Sequence, residues 1–137
     1  MSSSSSGAAH AQRRETPKII LVADDNPAIR KALCEMFEVE EDYDLCAEAT
    51  NGVEAIALAK QWRPDLIILD LSMPEINGYD AAREIKRIMP DVRIILFTLY
   101  ADTVRNQLMG VNSPIDLIIS KRDLANILKH VRSLIPV

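Results

Sequence analysis

Five short apolar runs separated by longer amphipathic stretches constrain this chain more than any other feature. Lys18 to Ala23 reads KIILVA and Asp65 to Leu69 reads DLIIL. Both are continuous rather than alternating, the pattern of strands covered on both faces. Leu45 to Ala49, Val92 to Phe97 and Ile115 to Ile119 supply three further strands.

Between them the apolar period changes from strand to helix. Pro27 suits a helix start, and Ile29, Leu33, Met36 and Phe37 mark the inner face of that helix. Thr50 or Asn51 can cap a second helix, with Val53, Ile56 and Ala59 turned inward and Pro64 closing it. A third runs from about Tyr79 to Ile88, with Ala82 and Ile85 inward, and a short, weakly amphipathic one covers 102 to 109, where Gly110 fits the end. Ser120 can cap the last helix, which carries Leu124, Ile127, Leu128 and Val131. Strands alternating with helices in this way predict an α/β fold, a five-stranded parallel sheet with helices on both faces.

In an open sheet of this kind ligands bind beyond the carboxyl ends of the strands. Asp24 and Asp25 follow the first strand, Asp70 ends the third, Thr98 ends the fourth and Lys121 follows the fifth. Gathered at one edge, three carboxylates repel one another unless a cation joins them. Hard oxygen donors suit Mg²⁺, an ion that keeps several waters and works beside phosphate. Asp25 and Asp70, with Asp24 acting directly or through water, are the expected ligands. Asp70 is the expected nucleophile, because a carboxylate forms an acyl phosphate. Lys121 and Thr98 would each meet a phosphoryl oxygen. Lys121 gains nothing from the helix amino terminus beside it, which favours an anionic partner nearby.

DDNPAIR from Asp24 to Arg30, LIILDLSMPEINGYD from Leu66 to Asp80, Thr98 after its strand and Lys121 before the last helix resemble the response regulator receiver family over residues 18 to 137. That resemblance implies a CheY-like (βα)5, flavodoxin-like sheet of order 2-1-3-4-5. It also implies metal binding by the residues matching Asp24 and Asp25, by Asp70 and by the backbone carbonyl of Ser72. Pro74 and Gly78 would shape the loop behind the site. The phosphoryl donor would be a sensor histidine kinase or a histidine phosphotransfer protein. Thr98 would move toward the phosphoryl group, Lys121 would pair with it, and the change would reach the face made by helix four, strand five and helix five, where an effector or a second copy can dock.

Three features depart from the family pattern. Leu99 follows Thr98 where a small residue is usual, Ile118 stands where an aromatic residue usually reports the switch, and GVNSPIDLIIS from Gly110 to Ser120 lacks the usual small-residue pattern. Tyr100 is the candidate to take over the aromatic role. These departures motivate a competing reading, a protein-interaction module that needs no phosphorylation. A Mg²⁺-dependent phosphatase on a similar sheet is less consistent, because the chain has no loop long enough to close over a small substrate.

With 137 residues the chain has room for one domain, read as residues 17–137 behind a Ser-rich disordered tail over 1–16. That leaves no expected output domain and no direct transcription control. Neither a signal sequence nor a membrane span is visible. The net charge of -4 and the scattered Tyr43, Trp62, Tyr79 and Tyr100 argue against nucleic acid as a partner. Trp62 is read as packing at a helix end. His10 and His130 lack companions for metal binding. Cys34 and Cys46 have no zinc spacing and are expected to be reduced, near-core thiols in a cytoplasmic protein.

Overall fold

The computed structural model describes residues 16–136, apart from the Leu45 side chain. The proposed tail, with His10, Arg13 and Arg14, therefore falls outside the described residues up to position 15. Five strands, β1 (Lys18–Ala23), β2 (Tyr43–Ala49), β3 (Leu66–Leu69), β4 (Arg93–Thr98) and β5 (Leu117–Ser120), alternate with α1 (Pro27–Glu38), α2 (Gly52–Trp62), α3 (Gly78–Ile88), α4 (Ala101–Leu108) and α5 (Ile127–Leu134). They pair in parallel in the order β2-β1-β3-β4-β5, as expected.

The continuous apolar runs are explained by two cores, one on each side of the sheet. Along β1, Leu21 and Ala23 face the side of α2, α3 and α4, while Ile20 and Val22 face that of α1 and α5. All four residues of β3 are buried. Each such Leu or Ile contributes about 1.5–3 kcal/mol by leaving water, so the central strands anchor whatever is attached to their ends.

Helix starts follow local chemistry. Asn26, Asn51 and Asn77 each accept a backbone N–H of the first turn, of Ala28, Glu54 and Asp80 respectively. Asn51 rather than Thr50 thus caps α2. On that helix Gly52, Ala55 and Ala59 are buried, whereas Val53, expected inward, is exposed. Small residues let α2 lie close to the sheet and its neighbours, and the branched side chain is left outside. Trp62 is also exposed, at 42%.

Two further expectations change. Ser120 does cap the next segment, accepting the Arg122 N–H, but Lys121–Asn126 is a 3-10 turn with a kink at Asp123 before α5 begins. Cys34 and Cys46 are not free thiols: they form a disulfide between α1 and β2, with Cα atoms 5.4 Å apart. A twelve-residue separation carries no signal of this, because the pairing depends on one face of α1 lying over one face of β2.

Candidate phosphoryl and metal site

At the carboxyl edge of the sheet the chain turns out of β1 at Asp24 and out of β3 at Asp70. The two backbones are bonded there, Asp70 N–H donating to the Ala23 carbonyl at 2.8 Å. Both acids are buried, while Asp25 is exposed at the rim. One carboxylate oxygen from each of Asp24, Asp25 and Asp70 lies within 4.8 Å of the others.

Lys121 meets this cluster from the end of β5. Its Nζ donates to Asp24 Oδ2 at 2.7 Å and to Asp70 Oδ2 at 3.3 Å. The remaining oxygens accept backbone amides: Asp24 Oδ1 that of Asn26 at 2.9 Å, Asp70 Oδ1 that of Ser72 at 3.3 Å. Burial, then the Asp24 charge, push the Asp70 carboxyl above its usual range against the pull of Lys121 and the Ser72 amide. Burial alone would lower the Lys121 ammonium, but its hydrogen bond to Asp24 and the two carboxylate charges outweigh it and the net direction is up.

The loop from Leu71 to Asn77 folds tightly behind Asp70. Gly78 N–H donates to the Leu71 carbonyl at 2.9 Å, and a Cβ on Gly78 would strike the Asp70 carbonyl. A Cβ on Gly52 would strike Ile76, so α2 presses on the same loop. Glu75 has a φ of 73°, a left-handed conformation that is uncommon for a residue with a side chain. Pro74 lies within this loop, and Ile76 N–H donates to its carbonyl.

Thr98 reaches the same edge, 1% exposed, and is the register partner of Ser120. Its Oγ1 accepts the Tyr100 N–H at 3.1 Å. Leu99 and Tyr100 are both more than half exposed, and Ile118 is buried in the core on the side of α4. The open edge of β5 is tied to α4 instead by Arg105, whose Nη2 donates to the Ile118 carbonyl at 3.1 Å.

One participant escaped the sequence reading. Arg30 donates through Nη1 to the Asp24 carbonyl at 2.8 Å and through Nε to Glu48 at 3.1 Å. It belongs to the DDNPAIR segment, and its spacing from Asp24 was the available signal.

The donor set fits a hard divalent cation: three carboxylates converge, two of them buried, and the Lys121 ammonium offsets only one of their charges. Asp70 also fits a nucleophile, at the end of a rigid strand.

The model of the response regulator receiver domain matches residues 20–132. Among curated proteins, the chain is 39% identical over 83 residues to the uncharacterized transcriptional regulatory protein YhcZ of Bacillus subtilis, covering 61% of this chain and 39% of that protein. It is 45% identical over 84 residues to the transcriptional regulatory protein PdtaR of Mycobacterium tuberculosis, covering 60% and 40%. The chain thus spans about two fifths of the length of these regulators. Among solved structures, response regulator protein TrrA of Thermotoga maritima, in complex with Mg²⁺-BeF, superposes with a TM-score of 0.76 at 35% identity, over 86% of this chain and 99% of that one.

Proposed function

Because the chain belongs to the response regulator receiver family, we propose that it is a phosphoacceptor switch of a two-component system or phosphorelay, with Asp70 as the phosphorylated residue. The observation that carries the proposal is Lys121 bonded to both Asp24 and Asp70, with Asp25 completing the acidic cluster. A solved relative with Mg²⁺-BeF supports it.

In this reading an Asp70 oxygen attacks the phosphorus of a phosphohistidine. The P–N bond breaks, imidazole leaves with its electron pair and an O–P bond forms. Asp24, Asp25, Asp70 and the Ser72 carbonyl would hold Mg²⁺, which supplies neutralisation of the phosphoryl oxygens. Lys121 meets one phosphoryl oxygen, and Thr98, whose Oγ1 accepts the Tyr100 amide, donates its hydroxyl to another. Water later cleaves the acyl phosphate. The donor is a sensor histidine kinase or histidine phosphotransfer protein, and the exchange takes place in the cytoplasm. Residues 17–137 form the responding unit behind the tail of 1–16, and the face of α4, β5 and α5 carries the output to an effector or a second copy.

The test is intact mass after incubation with acetyl phosphate, with and without Mg²⁺, for wild type and Asp70→Asn. The expected result is a Mg²⁺-dependent gain of one phosphoryl group in wild type alone. No gain in wild type, under conditions that label another receiver, overturns the proposal in favour of a phosphorylation-independent interaction module.

A further inference from the structure

The seam between α1 and β2 is joined by two adjacent rungs. On α1, Arg30 and Cys34 are four residues apart and share a face; on β2, Cys46 and Glu48 are two apart and share a face. The upper rung is the Arg30–Glu48 ion pair, and the lower is the Cys34–Cys46 disulfide. The upper rung ends at the acidic site, where Arg30 also holds the Asp24 carbonyl. The residue that caps α1, Asn26, holds the Asp24 side chain through its backbone amide. What fixes α1 over β2 therefore fixes Asp24.

We propose that Cys34–Cys46 is a reversible thiol–disulfide site, with a dithiol as its co-reactant, whose state sets how firmly α1 holds Asp24. A surface cleft lined by Pro27, Arg30, Lys31, Cys34, Glu35 and Glu48 reaches Cys34, itself only 3% exposed, while Cys46 on the other side of the bond is partly exposed. A dithiol thiolate entering there attacks the Cys34 sulfur, and Cys46 leaves as a thiolate and takes a proton. The second thiol of the reductant, deprotonated, then attacks its own sulfur in the mixed disulfide and releases Cys34. Two electrons and two protons pass to the protein, and the reductant becomes a disulfide. Disulfides in a thiol-buffered compartment are characteristically transient or redox-sensing, which suits a pair placed beside a signalling site. With the lower rung open, the covalent tie is gone and α1 is kept in register by the partly exposed Arg30–Glu48 pair, the Arg30 bond to the Asp24 carbonyl, the weak contact of the Cys34 sulfur with the Cys46 carbonyl and apolar packing. Any consequence for phosphorylation rests on the function proposed above; the hold on Asp24 does not.

The experiment treats the oxidised full chain with dithiothreitol in native buffer, alkylates one portion for intact mass, and follows hydrogen exchange of the Asn26, Ala28 and Arg30 amides in another. Expected are two alkyl groups after reduction and none before. The three amides should exchange about threefold faster or more once the protein is reduced, with α3 unchanged. A Cys34→Ser/Cys46→Ser variant should match the reduced protein and ignore dithiothreitol. A bond reducible only in denaturant, or equal exchange in the two wild-type states, overturns the proposal. Acetyl phosphate labelling of the same samples keeps the two ideas apart: no uptake in either state counts against the proposed function alone.

Discussion

Lys121 sits nearer to Asp24 than to Asp70, at 2.7 against 3.3 Å. The one ammonium bonded to both acids is thus bound most closely to a carboxylate expected to hold the metal, and only secondarily to the expected nucleophile. It draws on the same carboxylates that a divalent ion would use, and its charge opposes that ion's.

A Lys121→Met variant should consequently separate metal binding from phosphoryl transfer. Removing the competitor is expected to raise Mg²⁺ affinity about threefold, by relief of like-charge repulsion. Phosphoryl uptake should fall about tenfold or more, because one phosphoryl oxygen loses its cation. Calorimetric Mg²⁺ titration and acetyl phosphate labelling read the two effects. Weaker Mg²⁺ binding in the variant would show that Lys121 supports the metal site rather than competing for it.

Gly78 is expected to tolerate no side chain, because a Cβ there meets the Asp70 backbone carbonyl and not a flexible side-chain end. Gly78→Ala should cost about 1–3 kcal/mol in urea denaturation through forced backbone shifts. Phosphoryl uptake per folded molecule should also drop, since the shift acts on the residue that takes the group. A fully stable, fully reactive variant would mean that the loop yields without moving Asp70.

Acid should loosen the start of α2. Glu54 accepts the Thr50 amide at 2.6 Å and hydroxyl at 2.9 Å, and these bonds hold its carboxyl below the ordinary value of 4.5. A depressed carboxyl stabilises the fold fully above its unfolded value, and that contribution is lost as pH falls through the folded value. Glu54 is solvent-exposed, so the effect is expected to stay under about 1 kcal/mol. Glu54→Gln should flatten the loss of stability below about pH 4.5; an unchanged acid limb in thermal melts would exclude Glu54 as a contributor.

The sheet and the site were legible in the sequence for related reasons. Strands buried on both faces must be apolar at every position, so β1, β3 and β4 stand out. Polar residues that end such strands, Asp24, Asp70 and Thr98, are forced to one edge with nowhere else to go. Less visible were features whose meaning depends on which faces meet. Val53 read as inward because it is apolar, but close packing of α2 selected Gly52, Ala55 and Ala59. Cys34 and Cys46 are paired only by the docking of α1 on β2. Arg30 and Asp116 are charged, and charge alone suggests solvent.

Asp116 shows what such a residue can hold. The segment Asp-Leu-Ile-Ile occurs twice, at Asp65 and at Asp116, immediately before β3 and β5. Each aspartate bonds the start of a neighbouring strand through both its backbone and its side chain. Asp65 N–H donates to the Ile19 carbonyl while its Oδ2 accepts the Ile19 N–H, and Asp116 does the same with Ile94. Asp116 additionally binds Lys86 at 3.0 Å and Arg93 at 3.4 Å. Asp116→Ala strands the Ile94 amide and frees two cations, at an expected cost of about 2 kcal/mol. Asp116→Asn keeps an acceptor for Ile94 and should lose roughly half as much. Both losses belong to the edge of the sheet opposite Asp70, so phosphoryl uptake per folded molecule should match wild type. Urea denaturation and acetyl phosphate labelling of the two variants check this, and equal stability of Asp116→Ala and wild type would show that water replaces the aspartate without loss.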